Sequence, residues 1–397
     1  MKINNKITPK GFRDYLFEES EAQTAVENRL SALFASRGYH SVVTPALEFM
    51  DVFTCPEPAI PIEQMYKLTD RNGRLLVLRP DITLPIARLA ATRLQNMPRP
   101  VRLCYTEKVF KVNPGLNGRR DEVTQSGVEL LGAAGKRADL EILKTAADAL
   151  SVCGATEFKI EIGHAAVFKG LIAELDTDGD TVERVRRLIE SKCYAALDDE
   201  LDKLENQKIA GILRRLPHLF GGGEVLEEAA ALCGDICGDA LQYLRDIYDT
   251  LQTTSLAGRV DLDLGLVHSN TYYTGLLLRG YLFGSGVTVL SGGRYDHLLQ
   301  QFGEPMPAIG FAVENDAVAE LLCQQGAVDG GRIPDVLVFG EPGYEMQAVL
   351  YCTERIAQGQ IAENSVFDSW AQSLEYAKQR GIPAVVRVGA SIAEERI

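Results

Sequence analysis

The chain has no uninterrupted apolar run approaching the roughly 18 residues that a membrane-spanning helix needs, which argues against a bilayer span. Its first residues, MKINNKITPKGFRD, carry basic side chains with no apolar segment behind them, so no secretory leader is expected. A disulfide framework is missing too. The eight cysteines, Cys55, Cys104, Cys153, Cys193, Cys233, Cys237, Cys323 and Cys352, show no paired CxxC and no scaffold spacing. A reducing cytoplasm is the expected compartment. Positive charge is scarce: 41 Lys and Arg stand against 55 Asp and Glu, a net charge of −14. Nucleic-acid backbones are bound by clustered cations, so this balance gives no general footprint for them.

What is present is enough apolar sequence, 46% against 24% charged, for ordinary globular cores in a chain of 397 residues. Residues 20–37 place Val26, Leu30, Leu33 and Phe34 on one helical face, and Gly38 stops the helix before the extended YHSVVTPALEF. MYKLTD and GRLLVLRPD flank Asn72-Gly73, a hairpin signal. A helix over Leu84 to Leu94 precedes the strand VRLCYTEKVFKV, and the turn NPGLNG leads to an antiparallel partner, EVTQSGVELLG. Residues 138–153 read as an amphipathic helix and FKIEIGHAAVF as a returning strand. From about 169 to 252 the pattern is helical, an insertion broken by glycines 221–223. That triplet lacks a following Lys-Ser/Thr and reads as a turn, not a phosphate cradle. A helix to about Gln325 and the linker GAVDGGRIP then separate a first domain, 1–325, from a small α/β unit, 331–397.

Few isolated residues promise chemistry. Cys233 and Cys237 share a helical i, i+4 spacing, but no further ligands accompany them, so they read as small buried hydrophobes and no metal is expected. His268 lacks a Ser or Cys nucleophile motif. His164 and His297 read as structural, and Arg294 as a residue that holds a sheet. No catalytic residue and no cofactor is assigned.

Five segments do carry a resemblance: LVLRPDITLPIAR (Leu76 to Arg88), LCYTEKVFKVNPGLNGRRDEVTQSGVELLG (Leu103 to Gly132), DLDLGLVHSNTYYTGLLLRGY (from Asp261), LSGGRYDHLLQQFG (from Leu290) and PAIGFAVENDAVAELL (from Pro307). In order and spacing they resemble the catalytic core of histidyl-tRNA synthetases. The resemblance implies an α+β fold: a class II aminoacyl-tRNA synthetase-like antiparallel sheet with flanking helices, a helical insertion and a small C-terminal α/β unit. The opening helix and strand resemble the first class II motif, which implies a homodimer interface. The resemblance further assigns Asp81 and Thr83 of RPDIT to a ligand α-ammonium, with Asp one methylene shorter than the family's Glu. It assigns Gln125 and Glu129 to the ammonium and an imidazole, and Tyr272 and Tyr273 to closing over that imidazole. An imidazole needs an acceptor for one N–H and a partner for its other nitrogen, and these residues provide both. Free histidine is the expected ligand.

The positions that handle ATP in that family depart from its pattern. Where it has F-R-x-E, this chain reads Phe110-Lys111-Val112-Asn113, replacing a bidentate guanidinium by a point charge. Arg119 is retained, but Asp121 stands where another arginine is expected, a negative charge set to face triphosphate. The R-G-L-D-Y-Y signature becomes His268-Ser269-Asn270-Thr271-Tyr272-Tyr273, and the terminal G-L-E-R becomes Glu314-Asn315-Asp316-Ala317. Removing one preorganised contact costs on the order of 10²–10³ in rate, so adenylation is expected to be absent. With the usual arginine gone, Lys111 is the candidate for a ligand carboxylate.

A retained amino-acid pocket without the nucleotide arginines resembles the family of ATP phosphoribosyltransferase regulatory subunits, over about residues 6–320. That resemblance implies a non-catalytic partner for a short-form catalytic subunit, in a hetero-octamer built around synthetase-like dimers. The complex would join ATP to phosphoribosyl pyrophosphate in the first step of histidine biosynthesis and carry feedback inhibition by histidine. Unit 331–397 stands where synthetases carry a larger anticodon-binding domain, and its acidic end argues against tRNA. Two alternatives stay open: an active or degenerate histidyl-tRNA synthetase, and a histidine-sensing protein serving another partner.

Overall fold

The first helix, α1 (Glu18–Ser36), buries Ala22, Val26, Leu30 and Phe34, one row at a spacing of four. Leu33 lies at the margin of that row and is half-buried. The helix stops where Gly38 takes φ 79° and the Tyr39 amide donates back to the Phe34 carbonyl at 3.1 Å. This is a computed structural model; it describes residues 6–54, 58, 60–113, 120–154, 157–268, 270, 272–303, 305–327 and 333–397. They fall into two compact units, Met1–Gln325 and Gly326–Ile397.

In the first unit β1 (His40–Ser41) is followed by β2 (Leu47–Phe49), α2 (Asp51–Thr54), β3 (Lys67–Thr69) and β4 (Leu75–Leu78). Strands β2, β4 and β3 make a small antiparallel sheet, with Gly73 at φ 78° in the β3–β4 turn. Helix α3 (Thr83–Arg93) then leads to the long pair β5 (Val101–Phe110) and β6 (Glu122–Leu131). The turn expected at NPGLNG lies, apart from Asn113, outside the described residues, as does Arg119. After α4 (Lys136–Val152) comes β7 (Phe158–His164). The sequence pattern extends this strand through Phe168, but it ends at His164. There the imidazole Nδ1 accepts the Ala166 amide at 3.2 Å and caps the next helix.

The insertion comprises α5 (Ala165–Ala173), α6 (Gly179–Glu190), α7 (Tyr194–Leu201), α8 (Gln207–Arg215), β8 (Phe220–Gly221), α9 (Glu224–Cys233) and α10 (Gly238–Gln252). Cys233 and Cys237 are buried within it, and the Cys237 thiol donates to the Val167 carbonyl at 3.6 Å. Strands β9 (Val260–Asp263), β10 (Leu276–Leu282), β11 (Thr288–Arg294) and β12 (Ala308–Glu314), then α11 (Asn315–Gln324), complete the unit. The nine-stranded sheet has the order β1-β5-β6-β12-β11-β10-β7-β9-β8. From β5 to β7 every neighbour is antiparallel. Helices α1, α4 and α11 pack on this stretch.

The second unit runs β13 (Val336–Gly340), α12 (Glu345–Ala357), β14 (Ala362–Asn364), α13 (Trp370–Arg380), β15 (Ala384–Val388) and β16 (Ile392–Arg396). Alternate residues of β13 feed two cores, Val336 and Val338 on one face and Leu337 on the other. The sequence pattern ends with β15, yet residues 392–396 return antiparallel as an exposed edge. Glu394, Glu395 and Arg396 have no hydrophobic alternation to announce a strand; charge of this kind suits an edge.

A buried ion pair joins α4 to the sheet, and the insertion bonds to the same carboxylate. Arg294, at the end of β11, donates from Nε at 2.9 Å to Asp139 of α4, whose side chain is 0% exposed. The Tyr243 hydroxyl of α10 donates to the other Asp139 oxygen, and Asp296 lies 2.9 Å from Arg294 Nη1. Asp139→Ala leaves the guanidinium without its buried counter-charge, and the expected loss is about 3–5 kcal/mol. A urea titration followed by far-UV circular dichroism reads this directly; a loss below about 1 kcal/mol would contradict the account.

Candidate functional site

Strand parity assembles the site. On β6, Gln125, Gly127 and Glu129 share one face of the pleat, and Ser126 and Val128 the other. The register sets Tyr105 of β5 opposite Gly127 and Gly310 of β12 opposite Glu129. A Cβ at residue 127 would overlap the Tyr105 hydroxyl, and one at 310 would overlap the Glu129 carboxylate and the Val128 carbonyl. These two glycines make room for polar side chains lying along the sheet.

Glu129 is 1% exposed. One of its oxygens accepts from Thr83 Oγ1 at 2.8 Å, and the other accepts from the Tyr295 hydroxyl. Burial pushes its carboxyl up to about 8, against the pull of both hydroxyls, and the neighbouring Asp81 charge adds to the rise. Asp81 keeps some solvent-accessible surface. Its Oδ1 accepts the Leu84 amide at 3.0 Å at the start of α3, and its Oδ2 accepts from the Tyr272 hydroxyl at 3.3 Å. Burial raises its pKa as well, opposed by that amide and by the Lys111 ammonium.

The aromatic wall comes from the segment between β9 and β10. The rings of Tyr272 and Tyr273 lie 4.8 Å apart, and Tyr272 meets Tyr295 edge-on at 5.8 Å. The Tyr273 carbonyl accepts from Lys169 Nζ of α5 at 2.7 Å. His268 packs edge-on against Tyr273 at 5.1 Å, and its Nδ1 accepts the Asn270 amide at 3.0 Å. Burial, then the charges of Arg279, Lys111 and Arg186, push its imidazole down to about 3, so it is neutral at physiological pH. It is a spacer among cations. Arg279 of β10 donates from Nη2 to the Val267 carbonyl at 2.9 Å and lies 3.6 Å from Glu190 of α6.

Of the residues picked out by sequence, Asp81, Thr83, Glu129, Tyr272 and Tyr273 therefore come together. Lys111 lies close enough to act electrostatically on Asp81 and His268, but makes no ion pair within 4 Å among the described residues. Gln125 shares the face of Glu129 but sits four residues along the strand, about 13 Å away. Sequence reasoning missed Tyr105, Tyr295, Asn270 and Arg279. Arg279 had a signal, a lone charge inside the apolar run LLLRGY. Tyr295 stood beside Arg294 in the GGRYD segment, where only the arginine drew notice.

The nucleotide side differs from expectation in one respect. Asp121 does not face an open cleft. It is buried and accepts from the Tyr66 hydroxyl at 2.5 Å and the Asn113 amide at 3.0 Å. The neighbouring Arg120 is held by Glu320 at 3.0 Å and Asp316 at 3.8 Å, against the Tyr15 ring. Asp316 itself accepts the Thr124 amide at 2.5 Å, and Asn315 donates to Ser126 Oγ at 2.8 Å, both on the helix-covered face. Ser269 and Thr271 lie outside the described residues. Among the described residues no group of three His, Cys, Asp or Glu side chains could hold a metal ion, and no helix is long and apolar enough to cross a membrane. A buried and a part-buried carboxylate, several hydroxyls and nearby cations suit a small ligand that carries N–H donors and a carboxylate.

The chain is similar to known proteins over most of its length. The family model for histidyl-tRNA synthetase matches residues 11–318. An ATP phosphoribosyltransferase regulatory subunit of Clostridium kluyveri is 39% identical over 382 residues, covering 95% of this chain and 97% of that protein. One from Clostridium botulinum is 37% identical over 388 residues, covering 96% and 92%. The crystal structure of an ATP phosphoribosyltransferase regulatory subunit/histidyl-tRNA synthetase from Bacillus halodurans superposes with a TM-score of 0.81 at 31% identity, covering 94% of this chain and 97% of that one. The chain belongs to the ATP phosphoribosyltransferase regulatory subunit family, built on the histidyl-tRNA synthetase fold.

Proposed function

We infer that this chain is the non-catalytic regulatory subunit of ATP phosphoribosyltransferase and that free histidine is its ligand. The observation that carries the reading is the full-length relationship to regulatory subunits, joined to a pocket in which Asp81, Thr83, Glu129, Tyr272 and Tyr273 converge. Gln125 and Lys111 complete the ligand set at its rim, Lys111 toward the carboxylate. Lack of aminoacylation is supported by Lys111, His268 and Ala317 standing where the synthetase resemblance calls for arginine. The partner is a short-form catalytic subunit in a cytoplasmic hetero-octamer built around homodimers of this chain.

Regulation follows from linkage. Histidine inhibits by binding the less active arrangement of the complex more tightly, a coupling of about 1–3 kcal/mol. Adding this chain to a short-form catalytic subunit is expected to switch on phosphoribosyl transfer, and histidine to suppress it. Glu129→Ala combined with Tyr273→Phe is expected to leave the activation and abolish the suppression. Inhibition that survives the double change would remove the pocket from the mechanism. The purified chain is expected to catalyse no histidine-dependent exchange of pyrophosphate into ATP; such exchange would establish an active synthetase.

The raised carboxyl of Glu129 yields a pH test. Because the folded state holds this proton up to about pH 8 and the unfolded chain releases it near 4.5, stability falls as pH rises between those values. The cost at high pH is on the order of a few kcal/mol. Glu129→Gln removes it. Without histidine, the variant is expected to melt near the parent at pH 5 and several degrees above it at pH 8; equal gaps at both values would refute a buried, protonated Glu129.

A further inference from the structure

Asn270 is 8% exposed and its side-chain oxygen has no hydrogen-bond partner among the described residues. An orphaned acceptor of this kind costs about 1–3 kcal/mol, so its presence beside the pocket calls for a donor. The surroundings fix which way the amide points. The Tyr272 hydroxyl has one proton, directed to Asp81 Oδ2 at 3.3 Å, so toward Asn270 it accepts, from Nδ2 at 2.7 Å. The amide oxygen is therefore the free end. It is carried on a group anchored at both sides, by Tyr272 and by the backbone amide bond to His268.

The Tyr272 hydroxyl thus donates to the Asp81 carboxylate and accepts from Asn270 Nδ2, and the acceptors flanking it are that carboxylate and the free Asn270 Oδ1. An ammonium, with three N–H donors and a positive charge, can use both. An imidazole N–H can serve only one. The cations whose charges act on His268, Arg279 and Lys111, suit a carboxylate instead. We propose that Asn270 Oδ1 is a specificity-determining acceptor for the α-ammonium of the bound amino acid, acting beside Asp81. The chain then tells a free α-amino acid from an analogue without the amine. This rests on the reading of the pocket as a histidine site.

The test uses calorimetric titration of the full chain with L-histidine, histamine, which keeps the amine, and imidazolepropionate, which lacks it. Asn270→Leu removes the acceptor at similar volume. It is expected to weaken L-histidine and histamine by about 10- to 100-fold, the range for a hydrogen bond to a charged group, and to leave imidazolepropionate within about two-fold. Equal weakening of all three would make Asn270 a merely structural residue, and unchanged histidine affinity would also overturn the proposal. Asn270→Ala carries the same comparison if the leucine variant does not fold. Failure of the unaltered chain to bind histidine at all would instead bring down the histidine reading and this proposal with it. That outcome is distinct from any pattern confined to the variants.

Discussion

A carboxylate enclosed by protein keeps its charge only if donors or cations replace the lost water. Glu129 has two hydroxyl donors and no cation within ion-pairing distance among the described residues. Much of the surrounding architecture follows from that deficit. Gly310 has no side chain because the carboxylate occupies the space, and Gly127 has none because the Tyr105 hydroxyl does. Tyr295 has its hydroxyl committed to the same carboxylate.

Asp81 binds the local fold to the site. The same side chain that starts α3 through the Leu84 amide orients Tyr272, so the helix and the aromatic wall are registered to each other. The wall is held from behind by Lys169 of the insertion, through the Tyr273 carbonyl. Asp139 extends the same connectivity, receiving Arg294 from the strand end next to Tyr295 and Tyr243 from α10. The insertion therefore touches the site's surroundings at two points, through Lys169 on the Tyr273 carbonyl and through Tyr243 on the carboxylate that holds Arg294, the chain neighbour of Tyr295.

Elements with a strong period were legible in the sequence: α1 through its row of apolar residues, β5 and β6 through their length and the polar turn between them. Strand parity likewise put Gln125 and Glu129 on one face. What periodicity cannot supply is the parity of a neighbour. Tyr105 belongs to the site only because the register sets it against Gly127, a pairing no local pattern reports. Asp121 read as an open charge because its partner, Tyr66, is 55 residues away. His164 ended a strand by capping a helix, and β16 formed from charged residues on an edge; both are tertiary outcomes that outweigh propensity. Asn270 looked like a plain loss within the synthetase signature, since an orphaned acceptor exists only once its surroundings are built.

Arg120 illustrates how the chain settles its own electrostatics at the rim. Its guanidinium lies between Glu320 and Asp316 and against the Tyr15 ring, so the positive charge is answered locally. A charge cancelled at contact distance projects almost no field beyond the roughly 8 Å over which physiological salt screens it. Arg120 therefore contributes little to gathering or aligning a polyanion from a distance, despite its place at the rim.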